Sequence, residues 1–133
     1  MIMASPDKRQ TDKNHHFIQA FHHAIDGIMD TIHTEPNMRY HLIFALAALL
    51  CGLILQINRV DWLWITLAIF TVILAEFANT IAEALSDLVT QGQYNPAAKR
   101  VKDVAAGAVV VAAMFAIITG CLVFVPRVWQ LLF

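Results

Sequence analysis

Apolar and polar positions alternate along this chain in four distinct regimes. Between His15 and His33, Phe17, Phe21, Ile25, Ile28, Met29 and Ile32 recur every three or four residues, while His22, His23, Asp26, Asp30 and His33 take the other side. That spacing predicts an amphipathic helix over about 15–33, too polar to span a membrane and suited to lie in its surface. Three long apolar runs follow. The first reaches Ile57 and spans a bilayer only if it starts near Pro36, giving a helix over about 36–57. Asn58-Arg59-Val60-Asp61 reads as a tight polar turn, with Trp62 and Trp64 as interfacial anchors after it. The second run predicts a helix over about 62–88. The third, over about 96–125, opens on Asn95-Pro96, a capping residue and a first helical proline, and is closed by Pro126. The sequence therefore predicts an all-α integral membrane protein with three transmembrane helices and an N-terminal amphipathic surface helix. Residues 15–133 form one domain behind a disordered polar tail, 1–14, that lacks the apolar core of a signal peptide.

Composition agrees with that reading. The 133 residues are 59% hydrophobic and 14% charged, and the mean hydropathy is +0.62. A soluble domain carries about a quarter charged residues. The net charge of -1 argues against a nucleic-acid partner. Cys51 and Cys121 sit in apolar runs and read as small packing residues rather than a disulfide.

One stretch breaks the pattern. Glu76, Asn79, Glu83 and Asp87 fall within an arc of roughly 80° on the second spanning helix. A charge inside a spanning helix costs at least ~2.5 kcal/mol, so such a face is retained for function. At 1.5 Å per residue Glu76 lies ~21 Å beyond Trp62, with Glu83 and Asp87 near the far surface. Pro36 pushes Glu35 out of the α region, setting this carboxylate at a break between surface helix and spanning helix. A solvated turn carboxylate is the plainer reading of Glu35.

Basic residues set the topology. With the N-terminus in the cytoplasm, Lys8, Arg9, Lys13, Arg39, Lys99, Arg100 and Lys102 lie inside, and Arg59 and Arg127 outside. Glu35, the Glu83 end of the second helix and the Lys99–Asp103 helix start then share the cytoplasmic surface. Small residues, Ala108, Ala112, Ala116 and Gly120 on the third helix and Ala75, Ala78 and Ala82 on the second, favour close helix approach. Three helices shield several carboxylates poorly, which predicts a homo-oligomer.

Paired carboxylates beside an amide suit Mg²⁺, cations and free N–H groups at a helix start suit phosphates, and a carboxylate held from water suits a general base. Together they permit phosphoryl transfer to a hydroxyl entering from the membrane. The same acidic face suits a proton or cation pathway, or interhelical packing through Asn79 and Thr80. The basic helix start and Glu35 favour a phosphate ligand over an ion path.

Glu76-Phe-Ala-Asn79-Thr80-Ile-Ala-Glu83-Ala-Leu-Ser-Asp87, then Ala98-Lys99-Arg100-Val101-Lys102-Asp103-Val104-Ala105-Ala106-Gly107-Ala108-Val109, resembles the small bacterial integral-membrane diacylglycerol kinase family, which includes undecaprenol kinases. Phe21–Gly27 and Thr34–Leu42 match as well. The resemblance covers about residues 17–126 and implies a homotrimeric helical bundle in the bacterial plasma membrane that transfers the γ-phosphate of ATP, with Mg²⁺, to a lipid hydroxyl. It makes Glu76 the catalytic base at the lipid substrate and Glu35 and Glu83 the metal-binding, nucleotide-side carboxylates. Asn79 and Asp87 complete the polar face. Gln93, Tyr94, Asn95, Lys102 and Asp103 become nucleotide-binding positions, and Arg39 a lipid-side one. The Asn37-Met38-Arg39-Tyr40-His41 segment is more similar to the undecaprenol kinase branch, with diacylglycerol the alternative acceptor.

Overall fold

The computed structural model describes residues 17–133. The polar tail over 1–14, with His15 and His16 after it, lies outside the described residues. Four helices follow in order: α1 Phe17–Thr34, α2 Pro36–Ile54, α3 Arg59–Thr90 and α4 Pro96–Leu132. No strand occurs among the described residues. By length and composition, α2, α3 and α4 are each able to cross a membrane, and the chain is an all-α membrane protein.

The chain divides between Thr34 and Glu35. In the first unit α1 is amphipathic, with Phe17, Ile18, Phe21, Ile28 and Met29 all exposed. The second unit, Glu35–Phe133, is held mainly by packing of α3 on α4, with α2 set against α3.

Three boundaries differ from those the sequence predicts. Residues 59–61 are the start of α3 and not a turn, with Asn58 as its cap. Asn58 accepts hydrogen bonds from Val60 N and Asp61 N at 2.9 and 3.0 Å and so caps a helix that starts three residues early. α2 stops at Ile54 because Gln56 turns left-handed (φ 48°) and Ile57 N reaches back to Gly52 O. Pro126 does not close α4, which runs on to Leu132 with the proline inside it. The ring removes one backbone donor, a loss that neighbouring groups and local adjustment absorb in spanning helices.

The early start of α3 also reassigns Trp62. It sits one turn before Ile65 on the packed face and joins the cluster of Ile57, Ile65 and Val123, whereas Trp64 stays half exposed. Gly52 makes room for it. A Cβ there would meet Trp62 Cη2 at 2.8 Å and Ile57 Cδ1 at 3.1 Å. Gly52→Ala is expected to destabilise the bundle by about 1–3 kcal/mol through overpacking. A lowered thermal midpoint in detergent checks it; an unchanged one means the indole gives way freely.

The packed stripe of α3 changes character along its length. Ile65, Ala68 and Val72 are followed, at the same three- and four-residue spacing, by Glu76 and Asn79, and two turns further on by Ser86. The surface that is core at one end is a polar site at the other. At 32 residues α3 is roughly 48 Å long, more than a ~30 Å hydrocarbon layer, so one end must project from the membrane.

Candidate active site

Glu76 is 1% exposed, and neither of its carboxylate oxygens has a hydrogen-bond partner. His41 Nε2, one and a half turns into α2, stands 3.9 Å from Glu76 Oε2, beyond direct hydrogen-bonding range. His41, Glu35 and Glu83 are the titratable groups whose charges reach Glu76. An unpaired buried carboxylate costs several kcal/mol and persists where something else completes it.

One turn on, Asn79 donates through Nδ2 to Glu83 Oε1 at 2.9 Å, while its own Oδ1 is buried and unpartnered. Three buried oxygens, two on Glu76 and one on Asn79, thus share one side of α3 without donors. Glu35 is the single non-helical residue between α1 and α2. Its backbone is extended (φ -99°, ψ 109°), as Pro36 dictates, and its side chain makes no capping bond, so the carboxylate is not consumed by the helix start. Glu35, Glu83 and Asn79 offer only hard oxygen donors. No three His, Cys, Asp or Glu side chains among the described residues converge into a protein-only metal cage. This donor set fits a hard cation that completes its shell with water and phosphate oxygens.

The cationic groups gather at the start of α4. Lys102 Nζ bonds Asp87 Oδ1 at 2.6 Å, tying the end of α3 to the start of α4. Lys99 pairs with Asp103 within α4. The acidic arc of α3 therefore splits: Asp87 serves Lys102, and Glu76, Asn79 and Glu83 remain together. The connecting turn uses left-handed Gln91 and Gly92, and Tyr94 in it is 80% exposed. Gln93 N bonds Thr90 O. Asn95 Oδ1 accepts from Ala97 N and Ala98 N at 2.8 and 3.3 Å. The free N–H groups that made this helix start an anion site are thus partly taken, leaving the lysine ammonium groups as its attraction for anions.

Beside the carboxylates lies a groove of about 400 Å³ between α2, α3 and α4. Phe44, Ile65 and Val72 contribute apolar wall, and Asn37, Tyr40 and His41 line one part of it. The small-residue stripe of α4 is divided in use: Ala112 is buried, Ala116 and Gly120 hollow out the groove, and Ala108 is exposed. Arg39 lies on the exposed side of α2 and is not part of the groove wall.

Prokaryotic diacylglycerol kinase is the family that matches, over residues 22–124. The chain belongs to that family. Among its relatives, an undecaprenol kinase of Bacillus subtilis is 38% identical over 125 residues, covering 94% of this chain and 99% of that protein. A diacylglycerol kinase of Synechocystis is 32% identical over 108 residues, covering 80% of this chain and 62% of that protein. Membership makes the chain a lipid kinase, a phosphotransferase that acts on an alcohol group.

Sequence reasoning passed over His41 as a functional side chain, treating it as length for the first spanning helix. A titratable residue early in a spanning helix is the signal that was present; its placement opposite Glu76 needed the α2–α3 packing.

Proposed function

We propose that this kinase transfers the γ-phosphate of ATP to the terminal hydroxyl of undecaprenol at the cytoplasmic face of a bacterial plasma membrane. The observation that carries this reading is Glu76, a carboxylate without hydrogen-bond donors, buried in a spanning helix beside an apolar groove. A polyprenol is hydrocarbon immediately behind its CH₂OH group, which suits a groove whose polar wall is confined to Asn37, Tyr40 and His41. Diacylglycerol, with two esters near its hydroxyl, is the second reading, favoured by the Synechocystis relative.

In this mechanism Glu76 receives the hydroxyl proton as the oxygen attacks phosphorus. Lys102, exchanging Asp87 for a phosphate, neutralises nucleotide charge, and Gln93, Tyr94, Asn95 and Asp103 hold the nucleotide through hydrogen bonds. Glu35 and Glu83, with Asn79 fixing Glu83, would hold Mg²⁺. That ion supplies charge neutralisation on the transferred phosphoryl group. Arg39, at the same end of α2, would steer the lipid headgroup. The N-terminus and the Lys99–Lys102 cluster lie inside by their excess of basic residues. A homotrimer would supply the cover that one protomer does not give Glu83 and Asp87.

The test is γ-labelled ATP with Mg²⁺ and purified protein, offered undecaprenol or diacylglycerol. Preferential labelling of undecaprenol is the expected outcome. Diacylglycerol preference reverses the acceptor assignment. Labelling of neither lipid, with proton or cation flux in liposomes lacking ATP, replaces the kinase by an ion pathway.

A further inference from the structure

His41 is the polar side chain that belongs to both parts of the site. It lines the groove, and it faces Glu76, which does not itself line the groove. A hydroxyl approaching Glu76 from the groove therefore reaches His41 on the way. The gap between His41 Nε2 and Glu76 Oε2 is 3.9 Å. It is too wide for one hydrogen bond and the right width for a single oxygen to touch both. An oxygen about 2.7 Å from the carboxylate and about 2.9 Å from the ring nitrogen fits between them with a bond angle of roughly 90°. Both Glu76 oxygens lack donors, as such an arrangement requires.

We propose that His41 is a second catalytic residue, donating its Nε2–H to the oxygen of the lipid hydroxyl while Glu76 accepts that hydroxyl's proton. This rests on the lipid kinase reading above. In the step, the O–H bond breaks and its proton passes to Glu76 Oε2. The freed oxygen pair forms the bond to the γ-phosphorus of the nucleoside triphosphate. The bond from that phosphorus to the bridging oxygen breaks, and its electrons leave with the nucleoside diphosphate. Negative charge grows on the attacking oxygen, within reach of an N–H on His41 Nε2. A donor aimed at developing charge in a water-poor site contributes most in the transition state. The role needs only a neutral donor of the right reach, so glutamine serves in part and alanine does not.

The experiment compares wild type, His41→Gln and His41→Ala, purified in full length and assayed with saturating ATP and the acceptor lipid that wild type uses. Wild-type transfer must be seen first; its absence sinks the lipid kinase reading and this proposal with it. Given that transfer, His41→Ala is expected to lower kcat roughly 10²-fold, the usual loss for one such donor. KM for ATP should stay within about twofold, and His41→Gln should recover at least about tenfold of the loss. Thermal midpoints of the three proteins should agree. Three results overturn the proposal: alanine turnover within about threefold of wild type, glutamine as slow as alanine, or activity losses that track lowered thermal midpoints.

Discussion

Glu76→Gln is expected to abolish most turnover, by roughly 10²–10⁴-fold, while leaving the protein as stable as before or more so. The two halves of this expectation come from one observation. Both carboxylate oxygens are buried without donors, so the charge makes no hydrogen bond in the resting protomer that its removal could cost. Replacing an unpaired buried charge by a neutral isostere removes a desolvation penalty. The amide keeps the shape and loses the basic lone pair, and a base that cannot accept the proton leaves the attacking oxygen poorly nucleophilic. Glu76→Asp separates chemistry from placement. It keeps the base but withdraws it by about one methylene, a misplacement of an ångström that costs on the order of 10²-fold. Turnover and thermal midpoint measured on the same preparations decide the matter. Turnover of Glu76→Gln near wild type removes Glu76 as the base. A large fall in midpoint would mean the carboxylate holds the bundle together instead.

How much of this was legible in the chain depends on what each feature needs. The helix count, the break at Glu35 and the polar arc of α3 follow from local spacing and from Pro36, so they read directly. The start of α3 did not, because Asn58 served equally well as a turn residue or a cap, and only its bonds to Val60 and Asp61 decide between them. The continuation through Pro126 was hidden for a similar reason: proline ends helices in water, and apolar surroundings relax that rule. The arc itself looked like one constellation. Its division depends on Lys102, fifteen residues away, drawing Asp87 off while Asn79 keeps Glu83. His41 lay furthest from reach. Nothing in the spacing of α2 aims it at α3, and its meaning appears only when two helices are packed and a groove opens beside them.

The second large effect is expected at Glu83 and Glu35. Glu83→Gln retains an Oε1 for the Asn79 Nδ2 hydrogen bond, so the local structure of α3 survives while one negative charge goes. Glu35→Gln changes a side chain that makes no capping bond, and costs at most the few tenths of a kcal/mol that a carboxylate near a helix start contributes. If these two carboxylates share a cation that also grips the nucleotide, each variant should need about tenfold or more Mg²⁺ for half-maximal turnover, with a raised KM for ATP. Their combination should cost less than the product of the two, because residues that act as one unit are not additive. A site with one or two carboxylates and the rest of its shell from water and phosphate fails gradually in this way, since excess metal and nucleotide compensate for a lost ligand. The expected pattern therefore contrasts with Glu76→Gln, whose defect no concentration of Mg²⁺ or ATP should repair. Titrations of Mg²⁺ against turnover at several ATP concentrations distinguish the two. Curves for Glu35→Gln and Glu83→Gln that overlay wild type would remove the cation from these carboxylates. A double variant that multiplies the single defects would place the two residues on independent tasks, Glu83 with Asn79 on α3 and Glu35 at the head of α2.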